Sequence, residues 1–118
     1  FGDGTQSRSF CYIDDMVEGI YKLLNSNYTK PMNLGNPDEI ALIDFAKEII
    51  AMAGNNNKII FKSLPENDPF KRKPNISKAI KVLNWKPKIS RKIGLENTLS
   101  YFRRLTFEEL NKKEHKFT

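Results

Sequence analysis

The sequence predicts an α/β fold of three or four helices with a few short strands, and three observations carry that prediction. Met16, Ile20, Leu23 and Leu24 recur at i, i+4, i+7 and i+8, with Val17 and Tyr21 widening the stripe. Leu42, Phe45, Ala46, Ile49, Ile50 and Ala53 repeat the pattern over residues 42–53. Between such stretches lie short β-branched and aromatic runs, bounded by clusters of Gly, Asn and Pro that punctuate chain direction.

The elements follow in order. Gly2-Asp3-Gly4 is a glycine turn leading into Gln6-Ser7-Arg8-Ser9, and residues 10–13 form a short apolar run expected to be a buried strand. Asp14 and Asp15 then supply the cap and negative first turn of a helix over residues 14–26, ended by Asn25-Ser26-Asn27. A short strand over residues 31–34 runs into a Gly/Asn/Pro turn. The second helix starts after Ala41, which lacks a capping side chain at a cost of roughly 1 kcal/mol, and stops at Gly54. Residues 58–62, Lys-Ile-Ile-Phe-Lys, read as a strand. Pro65 to Pro74 is a proline-punctuated loop, followed by a short helix over residues 76–83. Asn84 tolerates the left-handed backbone that ends a helix, and Trp85 reads as a core anchor. Ser90 caps a last long helix with Leu95, Leu99 and Phe102 on one face. Thr106-Phe107-Glu108-Glu109 has capping-box spacing for a further short helix, and the Lys/Asn/Glu-rich tail beyond it is expected to fray. The division is therefore residues 1–105 as one domain and 106–118 as an appended helix and tail.

Bulk properties narrow the function classes. A chain of 118 residues holds one domain with a modest core. Hydrophobic content of 39 % and mean hydropathy of −0.56 suit a polar, soluble globule, and no apolar run approaches the roughly 20 residues of a membrane span. The absence of a basic-then-apolar leader points to the cytoplasm. One cysteine, Cys11, excludes an internal disulfide and reads as a buried thiol; with the single His115 it also makes a zinc site improbable. His115 is assigned no role. The +6 net charge is concentrated: residues 58–92 hold eleven Lys/Arg against Glu66 and Asp68, a local +9. That balance suits a phosphorylated or acidic ligand. No nucleic-acid motif accompanies it and the aromatics are not interleaved with it, so no nucleic-acid partner is expected. A lysine-rich solvated surface accounts for the patch equally well.

Four motifs carry a family resemblance. Gly2-Asp3-Gly4-Thr5-Gln6-Ser7-Arg8-Ser9-Phe10-Cys11-Tyr12-Ile13-Asp14-Asp15, Asn33-Leu34-Gly35-Asn36-Pro37, Asn67-Asp68-Pro69-Phe70-Lys71-Arg72-Lys73-Pro74-Asn75-Ile76 and Leu83-Asn84-Trp85-Lys86-Pro87 occur in that sequence. Together they resemble the nucleotide-sugar branch of the extended short-chain dehydrogenases/reductases, most of all the UDP-glucuronate decarboxylases, over residues 1 to about 103. The resemblance implies the C-terminal, substrate-binding portion of an extended Rossmann-type enzyme. It further implies that Arg8 and Arg72 contact the diphosphate of a UDP-sugar from opposite sides, with Gln6 as a helper. Arginine suits that role because its planar fork matches phosphate, whereas lysine acts as a point charge. From spacing alone, Arg8 equally reads as the ion-pair partner of Asp14 or Asp15, and Arg72 as a solvated cation. Asn75 stands where the family has Asp, and Phe70 replaces a polar residue as an exposed aromatic.

The chemistry of catalysis is not written in this chain. Gly2-Asp3-Gly4 lacks the third glycine and the spacing of a dinucleotide fingerprint. Four residues after Tyr12, Tyr21, Tyr28 and Tyr101 stand Met16, Asn25, Met32 and Leu105, so no Tyr-x-x-x-Lys pair exists. No catalytic residue, cofactor-binding residue or metal ligand is assigned; the 118 residues alone are expected to be inactive. The first residue, Phe1, directly before a turn, reads as a cut through a longer chain. By resemblance the parent binds NAD through an N-terminal part outside these 118 residues, is a homodimer, and is cytoplasmic or, in eukaryotes, Golgi-associated. It would oxidise UDP-glucuronate at C4, lose the carboxylate as CO2 and reduce the ketone to UDP-xylose. The alternatives are a nucleotide-sugar 4,6-dehydratase or 4-epimerase of the same branch or, in a different class, a non-catalytic nucleotide-binding or basic interaction module.

Overall fold

A computed structural model describes residues 1–66, 68–105 and 109. Its elements run β1 (Ser7–Ser9), α1 (Ile13–Leu24), β2 (Glu39–Ala41), α2 (Leu42–Ala53), α3 (Ser77–Leu83) and α4 (Arg91–Arg103). The expected α/β class is what the structure shows. β1 and β2 pair antiparallel with Ser7 opposite Ala41, Arg8 opposite Ile40 and Ser9 opposite Glu39. An isolated parallel bridge joins Ser7 to Lys71 on the other side of β1, so three separate stretches meet at that strand.

The core is small. Ile76, Ala79, Leu83 and Trp85 are its buried apolar residues, with Leu23, Met32 and Leu34 packed against them. Trp85, 1 % exposed, is the anchor its sequence context predicts, and its indole Nε1–H donates to the Asp15 carbonyl at 3.0 Å. Helix α1 comes close enough to the indole that a Cβ on Gly19 would lie 2.9 Å from Trp85 Cε2. Only glycine fits there. At the start of the chain Gly4 adopts φ +82°, in the left-handed region that glycine enters without strain, and a Cβ there would meet Ile43 Cβ at 2.9 Å.

Several boundaries hold. α2 spans residues 42–53 with Ala41 as an N-cap that makes no side-chain bond, and it ends at a left-handed Gly54. Asn84 is left-handed after α3. Ser90 Oγ accepts from the Ile93 N–H at 3.3 Å and so caps α4.

Other expectations need correction. Residues 58–62 are not a strand: their β-branched and aromatic side chains find no partner strand among the described residues, and a single bond, Gly2 N–H to the Lys62 carbonyl at 2.7 Å, ties them to the chain start. Residues 31–34 are irregular too, serving the core through Met32 and Leu34. The strand at the start is Ser7–Ser9, not residues 10–13; Phe10 instead stacks on Phe45 with centroids 3.9 Å apart. Cys11 is half-buried, not enclosed, and burial together with the nearby Asp15 charge pushes its thiol pKa up. The apolar stripe of α1 divides: Leu23 packs against the core, whereas Val17, Ile20, Tyr21 and Leu24 are exposed. The helix expected at 106–109, the tail and His115 lie outside the described residues, apart from Glu109.

Candidate functional site

β1 organises the site because both neighbouring segments are fastened to it. The Ser7 N–H donates to the Phe70 carbonyl at 3.0 Å, and Ser9 Oγ donates to the Arg72 carbonyl at 3.0 Å. On the other edge, Ser7 Oγ donates to Glu39 Oε1 at 2.6 Å. The proline loop, which forms no helix or named strand among its described residues, thereby runs alongside Arg8 and carries Arg72 to it.

The result is an open groove of about 710 Å³ lined by Arg8, Ser9, Phe10, Asn33, and residues 72–75. Two arginines 64 positions apart in the sequence thus face one cavity. They differ in what holds them. The Arg8 side chain is 18 % exposed; Nη2 donates to both Asp68 carboxylate oxygens at 2.8 Å, and Nη1 donates to the Ser7 carbonyl at 2.7 Å. The Arg72 side chain is exposed and makes no ion pair among the described residues. Lys73 adds a third cation to the rim. Such a surface, with two guanidinium groups and an ammonium and no carboxylate among its lining residues, suits an anion with several phosphoryl oxygens.

Neither aspartate at the start of α1 serves Arg8 or caps the helix. The N-cap is Tyr12 and makes no side-chain cap bond. Asp15, 3 % exposed, accepts from the backbone N–H groups of Lys88 and Ile89 at 3.1 and 2.9 Å, pinning the chain that follows Trp85. Adjacent sequence positions suggest an Arg8–Asp15 pair, but the helix turns Asp15 inward and leaves Arg8 on the strand. Asp68, sixty residues away, takes the place.

Gln6 does not line the groove. It is 2 % exposed, its Nε2 donates to the Phe1 carbonyl at 2.6 Å and its backbone carbonyl accepts from the Leu42 N–H at 3.0 Å. Its side chain therefore holds the glycine turn at the root of β1. Asn33, Asn75 and Asp68 are the residues that sequence reasoning did not select. Asn33 Nδ2 donates to the Asn75 carbonyl at 3.3 Å, closing the groove floor. The Asn75 side-chain oxygen accepts from Ser77 N–H at 3.0 Å and Ser77 Oγ at 2.6 Å, so the amide meets the acceptor need of the turn entering α3 without a carboxylate. Their presence in two of the four motifs was the available signal. Phe70 is exposed, as its position in the loop suggested.

A second cavity, about 220 Å³, lies between Phe10, Phe45 and α4, with Cys11 and Arg91 on its wall. Arg91 is committed elsewhere: it donates to Glu48 through Nε at 2.9 Å and Nη2 at 3.0 Å, and to Asp38 at 2.8 Å. That ion-pair network joins α4 to α2 and is structural. Among the described residues no group of His, Cys, Asp and Glu could hold a metal, and no helix is long and apolar enough to cross a membrane. The Gly2-Asp3-Gly4 turn lies close to Ile43, Leu64 and Gln6.

Comparison with known proteins shows what this sequence and fold are similar to. The NAD dependent epimerase/dehydratase family matches residues 1–35. Over those residues the chain is similar to that family. The sequence is 42 % identical over 104 residues to UDP-glucuronic acid decarboxylase 1 of Xenopus tropicalis, covering 88 % of this chain and 25 % of the relative. It is 43 % identical over 109 residues to UDP-glucuronic acid decarboxylase 1 of Arabidopsis thaliana, covering 92 % of this chain and again 25 % of the relative. The chain therefore spans about a quarter of the length of these relatives. Among solved structures, UDP-glucuronic acid 4-epimerase from Bacillus cereus, in complex with UDP-glucuronic acid and NAD, superimposes with a TM-score of 0.79 at 32 % identity. That match covers 90 % of this chain and 35 % of the epimerase. UDP-glucose 4-epimerase from Thermotoga maritima, solved with UDP-glucose, gives a TM-score of 0.83 at 28 % identity, covering 88 % of this chain and 34 % of the epimerase.

Proposed function

We propose that this chain is the part of an NAD-dependent UDP-glucuronate decarboxylase that grips the diphosphate of its UDP-sugar. The observation that carries the reading is the convergence on one open groove of Arg8, in β1, and Arg72, in a loop fastened to β1. Identities of 39–43 % to several UDP-glucuronic acid decarboxylases favour that reaction over the 4-epimerase reading, which rests on the 32 % identical solved structure. Arg72-Lys73-Pro74 also matches the decarboxylase pattern. In this reading the two guanidinium groups bind and orient the nucleotide end of the substrate. Binding energy from that non-reacting end is converted into orientation at the sugar. NAD, which supplies the hydride chemistry, and the groups that act on the sugar belong to the portion the relatives have and this chain does not. The whole protein is proposed to be a cytoplasmic homodimer.

The test is a titration of the chain with UDP, followed by two-dimensional NMR. Saturable binding is expected, weaker than about 1 μM because only part of the pocket is present. Arg8→Ala and Arg72→Ala should each weaken it at least tenfold, on the scale of one charge-assisted hydrogen bond. Absence of binding, or binding indifferent to both changes, would overturn the reading. Salt-sensitive RNA binding indifferent to both would instead favour a basic interaction module. Sub-micromolar UDP affinity would refute the inference that half the pocket lies elsewhere.

A further inference from the structure

We infer that Asp68 is a positioning residue for the diphosphate groove, fixing the Arg8 guanidinium so that it and Arg72 act on the same anion. The inference rests on the proposed diphosphate-binding role of Arg8 and Arg72 and extends it to a residue that does not itself line the groove.

Arginine on a strand has a long, flexible stem, and β1 by itself fixes only the Cα of Arg8. Left alone, the side chain would lose rotamer freedom on binding an anion, and that loss would weaken affinity. Here the terminal nitrogens are already committed on one side. Nη2 bridges both Asp68 oxygens at 2.8 Å, and Nη1 reaches the Ser7 carbonyl at 2.7 Å. No hydrogen bond holds Nε among the described residues. The pair is also sheltered, with side-chain exposures of 18 % for Arg8 and 28 % for Asp68, so solvent screens it less than the other ion pairs among the described residues. Arg72, by contrast, has no such anchor and must be ordered by the ligand.

Asp68 is not needed to bring the loop to the strand. Ser7 N–H to the Phe70 carbonyl, the bridge between Ser7 and Lys71, and Ser9 Oγ to the Arg72 carbonyl do that without the Asp68 side chain. Loss of the Asp68 carboxylate therefore leaves loop and strand joined and releases one side chain. Counter-charge alone would make Asp68 a competitor of the phosphate, and its removal would then tighten binding. Positioning predicts the opposite sign, and the two ideas separate in one experiment.

That experiment is a double-mutant cycle on the full chain, with UDP as the probe and NMR as the readout. Asp68→Ala is expected to weaken UDP binding roughly tenfold, and Asp68→Asn, which keeps one acceptor oxygen, roughly threefold. In the Arg8→Ala background, Asp68→Ala should change nothing further. Unchanged or tighter binding by Asp68→Ala would overturn the proposal, as would an equal loss in both backgrounds. A second readout does not depend on the nucleotide. The Arg8 Nη–H signal should be dispersed and slow to exchange in the unmodified chain, where Asp68 and the Ser7 carbonyl hold those groups, and collapse toward the free-arginine position in Asp68→Ala. If that signal is indifferent to Asp68, positioning is refuted whatever UDP does. If UDP does not bind at all while the signal collapses, the diphosphate reading fails and the hold of Asp68 on Arg8 stands.

Discussion

The Trp85 hub and the Arg8–Arg72 groove are built from the same kinds of contact and put them to opposite ends. Around Trp85 every polar group is consumed internally: the indole N–H by the Asp15 carbonyl, and both Asp15 carboxylate oxygens by backbone N–H groups at residues 88 and 89. The groove has a comparable polar inventory, yet it leaves the Arg72 side chain without an ion pair among the described residues and exposes Lys73. Closure at the hub stabilises. Openness at the groove keeps charge in reserve for something that arrives later. If that contrast is right, substitutions at the hub should cost stability and leave groove chemistry unaltered where the fold survives. Groove substitutions should do the reverse, with Arg72→Ala moving stability by no more than about 0.5 kcal/mol.

The largest effect is expected at Trp85. Removing a side chain that is 1 % exposed and fills the centre of a small core should cost about 3–5 kcal/mol, measured by urea unfolding. Against a typical total of roughly 5–15 kcal/mol, that change alone brings the chain close to unfolding. A loss below about 1 kcal/mol would mean that the hub does not organise the fold. Gly19→Ala comes next. The added Cβ would sit 2.9 Å from an indole carbon held on its far side by the core, so helix or ring must shift at a cost of about 1–3 kcal/mol. Helix propensity works the other way, favouring alanine by up to about 1 kcal/mol. A net stabilisation would therefore show that the indole has room to move.

The same contrast explains what could be read from the sequence. Local physics located the hub: the Trp85 context, the left-handed Asn84 and the Ser90 cap are all set by neighbours a few residues away. Helix α2 was legible for the same reason, down to its uncapped Ala41. The groove was legible only through motif resemblance, because Arg8 and Arg72 are joined by backbone contacts that leave no local signature. Asp68 shows where spacing misleads. Asp14 and Asp15 are nearer in sequence, yet helix geometry directs Asp15 inward, and the partner of Arg8 comes from a loop that periodicity cannot place. Residues 58–62 mislead in another way, since strand composition states a capacity for pairing and not the presence of a partner. The stripe of α1 has helical period on both its buried and its exposed parts, so period alone could not show that Ile20 and Leu24 would face outward.

The smallest predicted effect concerns acid, and it bears on the contact that joins α4 to α2. Arg91 donates to Glu48 through two nitrogens, and these hydrogen bonds hold the Glu48 carboxyl below its ordinary 4.5, against an opposing effect of burial and with a lesser contribution from charge attraction. Glu18 is lowered likewise by hydrogen bonds from Lys88 and then Lys22. A carboxyl whose folded pKa lies below its unfolded one binds fewer protons when folded, so its contribution is complete above the ordinary value and disappears as pH falls through the folded one. Arg91 remains charged throughout, so the carboxylates alone set the window. The urea midpoint should thus be flat between pH 7 and about pH 5 and decline below about 4.5. Glu48→Gln should lower the plateau slightly and make the acid decline shallower. Because both carboxylates stand partly in solvent, the change is expected to be modest and reduced by salt. A decline that begins above about pH 6, or one that Glu48→Gln leaves untouched, would place the acid-sensitive contact elsewhere than between α2 and α4.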